Sequence, residues 1–303
     1  MAAVEPGSGG AASPVAHVWS KRRLVWHMLW RELSQNDNLQ RLAGVGVYLL
    51  IGFYAAAFLL FRPWGTRFGE PVLSDWELGA RVAISSFVGV LLTFTLFFIS
   101  YTAERSRGSL KGYFCHPVGV AEVLVAKLLF VLVMSTVVAS LVLLPLVPMV
   151  QAGVMPRERA AGLAVMVLSA VAAAYLCLVF GVALSFLVRG RAARFRPEHG
   201  MLVALAVFVF DSRWVLVNLF EGLLSLKAGI TGWAATPGDL EAAGLWATVL
   251  STPSPFEAAS NLARAAMDHP SMPAGVVVSL VLVAAVALLG VSRAHRTYPE
   301  EVF

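Results

Sequence analysis

Residues Glu104 to Lys127 read ERSRGSLKGYFCHPVGVAEVLVAK, and the stretch lies between two apolar runs, Val82 to Ala103 and Leu128 to Val150. As a helix rising ~1.5 Å per residue, each run is long enough for the ~30 Å hydrocarbon core of a bilayer. Two consecutive spans return the chain to the face it left, so the stretch between them is a loop at one membrane surface. Its basic residues, Arg105, Arg107, Lys111 and Lys127, put that surface on the cytoplasmic side.

The composition around this loop agrees. The chain of 303 residues is 58% hydrophobic and 14% charged, with a mean hydropathy of +0.77; a water-soluble domain carries about a quarter charged residues. The expectation is an all-α polytopic membrane protein. A net charge of +5 does not point to nucleic acid, because the basic residues are scattered over connections between apolar runs rather than gathered on one face. The first apolar run starts only at Leu42, so a cleaved signal is not expected. Cys115 falls in the loop and Cys177 inside an apolar run; at different depths they are expected to stay free thiols.

Six spans are predicted: Leu42 to Phe61, Val82 to Ala103, Leu128 to Val150, Ala161 to Val188, Gly200 to about Leu219, and Ala274 to Val291. Residues 1–20, rich in Ala, Gly, Ser and Pro, read as a disordered tail. Residues 21–41 mix basic side chains with Leu24, Trp26, Met28, Leu29, Trp30 and Leu33, which suits a helix lying in the headgroup layer. Residues 21–303 form a single transmembrane domain, with a long outer segment at 220–273. The layout places 15 of the 23 Lys and Arg on the side of loop 104–127, which supports both termini in the cytoplasm; the expected location is the plasma membrane. Pro145 and Pro148 sit near the far end of the third run, where a kink is cheapest. Small residues along the fourth, Ser169, Ala170, Ala172, Ala173, Ala174 and Gly181, admit a close helix neighbour.

The fifth span is interrupted. Met201 to Phe210 is purely apolar but reaches only ~15 Å, and Asp211 and Arg213 then intrude, each costing about 2.5 to 3.5 kcal/mol at the bilayer centre. Either the helix breaks at Asp211 and a re-entrant or outer hairpin follows, or Asp211 and Arg213 form a polar site facing the bundle interior. The second arrangement, with a span of Gly200 to about Leu219, is the expectation adopted.

The loop itself has readable faces. Leu110, Tyr113 and Phe114 make an apolar edge at helical spacing, and Arg107 and Lys111 a basic one. Gly108 and Gly112 allow close backbone approach. The pattern fits a short element seated in a partner's groove, with Glu104 tethering it to the second span. On spacing alone, contact of the basic residues with anionic lipid explains the loop equally well.

Three stretches also resemble a family. Glu104, Arg105, Gly108 and Leu110 match an E-(R/K)-x-x-G-x-L pattern that leads through Pro117 to Glu122 and Lys127, an E-(x)4-K at the start of the third span. With Arg31-Glu32-Leu33 before the first span and Pro253-Ser254-Pro255-Phe256 before the last, this is similar to the permease subunits of ABC-2 type transporters. Many members carry a second acid and a hydroxyl where this chain has Ser106 and His116. The resemblance implies an N-terminal amphipathic elbow helix, a cytoplasmic coupling helix, membrane-dipping outer helices before the last span, and a second permease copy or paralogue. It also implies export driven by a separate ABC ATP-binding subunit that holds ATP and Mg.

The chain has no G-x-x-x-x-G-K-[ST] phosphate loop, no H-E-x-x-H and no G-x-S-x-G, and its six His are scattered. It is expected to bind no cofactor or metal and to catalyse no reaction itself. Two other classes compete: an ion-driven secondary transporter, favoured by Asp211, and a membrane-embedded enzyme, which lacks a catalytic constellation. Ser85, Ser86, Thr93, Thr95, Ser135, Thr136 and Ser140 read as packing and backbone-bonding hydroxyls before they read as a substrate path.

Overall fold

The computed structural model describes residues 21–35, 75–102, 119–144, 146–153, 156–188, 197–210, 213–232, 236–267 and 271–297. The regular structure among them is helical. In chain order the helices are α1 (Lys21–Gln35), α2 (Asp75–Phe97, continued by a π-helical turn at Phe98–Thr102), α3 (Val120–Leu143), α4 (Leu146–Gln151), α5 (Arg157–Val188), α6 (Pro197–Phe210), α7 (Arg213–Thr231), α8 (Pro237–Ser251), α9 (Pro255–Ala266) and α10 (Pro273–Thr297). Among the described residues, three stretches are long and apolar enough to cross a membrane: Ala121–Gln151, Arg157–Val188 and Pro273–Arg293. The apolar helices at Ser85–Tyr101 and His199–Phe208 are shorter.

Helix α5 is the hub, packing against α2, α3, α6, α9 and α10. Its buried residues, among them Gly162, Ser169, Ala170, Ala173, Ala174 and Gly181, cover most of its circumference, leaving exposed a stripe through Ala161, Val165, Leu168 and Ala172. That is how a helix without an amphipathic face behaves when neighbours surround it. The small side chains let backbones meet: Gly181 lies against the backbone of Gly200 and Met201 in α6, Gly89 of α2 against Ala174, and Gly290 of α10 against Ala183. Dispersion across such close contacts holds apolar helices together where burial from water supplies little drive.

Two apolar clusters fix the direction of each helix. One joins Met28 and Leu29 of α1, Leu96, Phe97 and Tyr101 from the end of α2, Val123 and Phe130 from the start of α3, Val182 and Phe186 from the end of α5, and Met201 of α6. The other, at the opposite end, joins Val82, Val142, Ala160, Leu163, Met166 and Ala263. Helices α2, α3 and α5 therefore alternate in direction. Thr102 and Gly119, Val188 and Pro197, and the last turns of α10 all come to the α1 end of the bundle.

Several boundaries differ from the sequence reading. The second helix begins at Asp75, well before Val82, so part of the polar connection expected at 62–81 is helical. The third begins at Val120, which puts Glu122 and Lys127 on the helix rather than in a loop ending at Lys127. It stops at Leu143 and resumes at Leu146, the position at which Pro145 removes an amide donor from the ladder. The fifth predicted span is not one helix from Gly200 to Leu219: α6 stops at Phe210 and α7 starts at Arg213. Helix α7 then pairs with α8 and barely touches α6, the hairpin alternative. The cost of carrying Asp211 and Arg213 within a continuous apolar helix accounts for the break. The first predicted span lies outside the described residues.

Candidate functional site

Of the residues expected to couple to a partner, Glu104, Arg105, Arg107, Gly108, Leu110, Lys111, Tyr113, Phe114 and Pro117 lie outside the described residues, as does Asp211. The flanks of the loop are described. On its upstream side α2 ends in the π-helical turn Phe98–Thr102, with Tyr101 buried and stacked on Phe97 at 5.2 Å between ring centroids. A π turn widens the helix locally and recurs near functional positions. On its downstream side Glu122 occupies the first turn of α3, where a carboxylate suits the helix dipole, and it folds back over Gly119.

One turn further, Lys127 Nζ lies 2.5 Å from Glu32 Oε1 of α1. Both side chains are almost fully enclosed, at 2% and 3% exposure. The pair forms because α1 is two-faced. Met28, Leu29 and Glu32 share one buried face at spacings of one, three and four residues, while Trp26 and Trp30 stand exposed on the other. The buried face lies along α3, so the carboxylate on it meets the ammonium among Val123, Leu124, Phe130 and Val131. Lys127, counted in sequence as one of the loop's surface charges, is therefore an internal charge. A pair so enclosed survives only if both partners stay, because either one alone would be a buried uncompensated charge.

The third motif-bearing stretch opens α9. Ser254 stands at its N-cap without capping through its side chain; its hydroxyl instead donates to the Phe208 carbonyl, 3.4 Å away near the end of α6. Phe208 also meets Phe256 edge-on at 6.4 Å and Phe180 at 4.9 Å. A carbonyl in the last turn of α6 thus receives a side-chain donor from the start of α9. Among the hydroxyls named from sequence, Thr136 and Ser140 donate to carbonyls of their own helices and Thr93 does likewise, while Ser85, Ser86 and Ser135 are buried with no hydrogen-bond partner among the described residues.

Arg213 belongs to a second polar group that sequence reasoning did not assemble. With Thr248, Thr252, Glu257, Asn261, Arg264, Ser271, Met272 and Gly275 it lines a cavity of about 160 Å³. Asn261 Oδ1 accepts from the Met272 amide at 3.1 Å and pins the start of α10 to α9. Burial raises the Glu257 carboxyl above its ordinary range, against the pull of Arg264 and Arg213 and a hydrogen bond from the Arg213 amide. No residue pattern announces this group, since its members come from four separate helices and the connection before α10. Among the described residues no three His, Cys, Asp or Glu could hold a metal ion together.

Comparison of the chain with protein-family models, with curated proteins and with solved structures found no match.

Proposed function

We propose that the chain is the membrane-spanning permease subunit of an ABC-2 type exporter, moved by ATP hydrolysis on a separate ATP-binding subunit that carries the ATP and Mg. In this reading it sits in the plasma membrane as a six-span bundle with both termini in the cytoplasm. A second permease copy or paralogue completes the pathway. The observation that carries the reading is the Glu32–Lys127 pair, because it joins two of the three stretches on which the family resemblance rests. The α1 end of the bundle also gathers the start of α3, the end of α2 and the last turns of α10, which agrees with the bias in basic residues. Trp26 and Trp30, exposed on α1, suit an elbow helix anchored in the headgroup layer.

The coupling chemistry follows from that arrangement. A partner gripping Leu110, Tyr113 and Phe114, with Arg107 and Lys111 facing acids at its rim and Glu104 and Arg105 holding the loop to α2, would displace residues 103–118. The displacement enters α3 at Gly119 and Glu122, past Pro117, and reaches α1 through Lys127 and Glu32. The bundle then moves between states that differ in how those helices pack.

Leu110→Asp with Phe114→Asp tests this directly. Removing two buried apolar anchors, each worth ~2 kcal/mol or more, weakens the ATPase complex by roughly a thousandfold. Co-purification from detergent-solubilised membranes is lost while the permease remains in the membrane fraction. An ATP-binding subunit that still co-purifies with the double variant refutes the assignment.

A further inference from the structure

The cavity between α7, α8, α9 and the start of α10 collects cationic groups that the described residues leave without ion pairs. Arg213 enters from the first residue of α7 and Arg264 from the last turn of α9. Glu257 is the carboxylate whose charge both guanidiniums feel, neither makes a close ion pair with another described residue, and Arg264 Nε is buried with no hydrogen-bond partner among the described residues. A buried donor of this kind costs about 1–3 kcal/mol and more when charged, so the arrangement fits a site that is completed by an anion. Thr248 and Thr252 give their protons to the carbonyls of Gly244 and Thr248, which leaves the guanidiniums as the charged donors on the cavity wall.

We propose that this cavity binds a phosphate group, held by Arg213 and Arg264. Guanidinium is suited to it, presenting planar paired donors to tetrahedral oxyanions. Two such groups match a phosphomonoester, which carries about −1.5 to −2 charges and three acceptor oxygens, better than a carboxylate. Glu257, beside them, shares a proton with the bound group: it accepts from a P–OH, or protonates and donates to a phosphate oxygen. Burial is the first cause that holds its carboxyl above the ordinary range. At about 160 Å³ the cavity is well below the roughly 300 Å³ at which pockets for drug-sized ligands begin, so it admits a small head rather than a whole amphiphile. The helices that contribute Thr248 and Gly275 to its wall also carry exposed apolar side chains, Leu245 and Val249 on α8 and Val277 and Val278 on α10. Acyl chains attached to such a head have a surface to lie on. The inference does not depend on what drives the protein.

The test is isothermal titration of the purified full chain in a neutral detergent, with three probes: dihexanoyl phosphatidate, inorganic phosphate and dihexanoyl phosphatidylcholine. Phosphatidate is expected to bind and the choline lipid, with its bulky cationic head, to fail. Inorganic phosphate binding much more weakly than phosphatidate identifies an amphiphile as the source of the phosphate; equal affinity identifies the free ion, and both outcomes support the site. Arg264→Gln and Arg213→Gln each weaken binding roughly 10- to 100-fold, while Arg264→Lys, which keeps charge without the fork, loses less. Glu257→Gln, which keeps a donor and an acceptor, binds at least as well as wild type. Arg213→Gln gives the reading if Arg264→Gln does not fold. Wild-type protein that binds neither phosphate probe, Arg→Gln variants that bind within twofold of wild type, or choline lipid binding as well as phosphatidate overturns the proposal.

Discussion

Lys127→Met is expected to lower the unfolding free energy of the purified protein by about 3–5 kcal/mol, the usual consequence of stranding one member of a buried ion pair. The stranded group is Glu32, held at 3% exposure among Met28, Leu29 and the first turns of α3. Glu32→Gln strands Lys127 and carries a comparable cost. The double variant Glu32→Gln with Lys127→Met is expected to lie well above the sum of the two, because no unpaired charge remains and the methionine fills nearly the same volume. Equilibrium unfolding of the four proteins in one detergent gives the coupling energy, and residues in contact couple by ~0.5–3 kcal/mol. Strict additivity would show that the two side chains do not meet. The cycle also bears on coupling. On the proposed function, a pair that transmits motion from α3 to α1 leaves the double variant stable but without ATP-dependent transport, whereas a purely structural pair restores both.

The stability of that contact could not be read from the chain. Glu32 and Lys127 are 95 residues apart, and each was noticeable alone, Glu32 inside Arg31-Glu32-Leu33 and Lys127 at the lip of an apolar run. Local spacing says nothing about pairing at such separation, and a lysine at the end of a hydrophobic run more often reaches the headgroups. What was legible is what local composition dictates. The apolar run Ala161 to Val188 appears as α5 and Ala274 to Val291 falls within α10, both uninterrupted by charge. The small residues Ser169 to Gly181 marked a close-packed face before any neighbour was known, and α5 does become the hub.

The break between α6 and α7 shows where the pattern is ambiguous. Met201 to Phe210 is purely apolar and Trp214 to Leu226 stays largely so, with Asn218, Glu221 and Ser225 inside it, so hydrophobicity permits one tilted span or two helices at an angle. The decision rests on Asp211 and Arg213, and on what meets the last turn of α6. The Ser254 hydroxyl at the Phe208 carbonyl supplies that, from 46 residues downstream. Arg213, released from a continuous span, joins Glu257 and Arg264 instead. The sequence marked Arg213 as anomalous, yet its neighbours become visible only once α7, α8 and α9 are folded against α10.

Gly181→Ala is expected to destabilise the protein by roughly 1–3 kcal/mol, and Gly222→Ala to stabilise it by up to ~1 kcal/mol, although the chemical change is the same. A methyl group on Gly181 would stand 2.6 Å from Met201 Cα and 2.9 Å from both the Met201 nitrogen and the Gly200 carbonyl oxygen. All three are backbone atoms of α6, so no side chain can swing aside, and the helices must separate. Separation also pulls Met201 out of the apolar cluster it shares with Val182 and Phe186, which adds lost packing to the steric cost. Gly222, in α7, has no atom of the described residues within 4 Å of the same position, so its substitution only removes backbone freedom from the unfolded chain. Thermal unfolding of the two variants in the same detergent, read beside wild type, gives the difference. Equal effects at both glycines would mean that α5 and α6 do not meet backbone to backbone, and the short apolar helix His199–Phe208 would then need another partner to hold it beside α5.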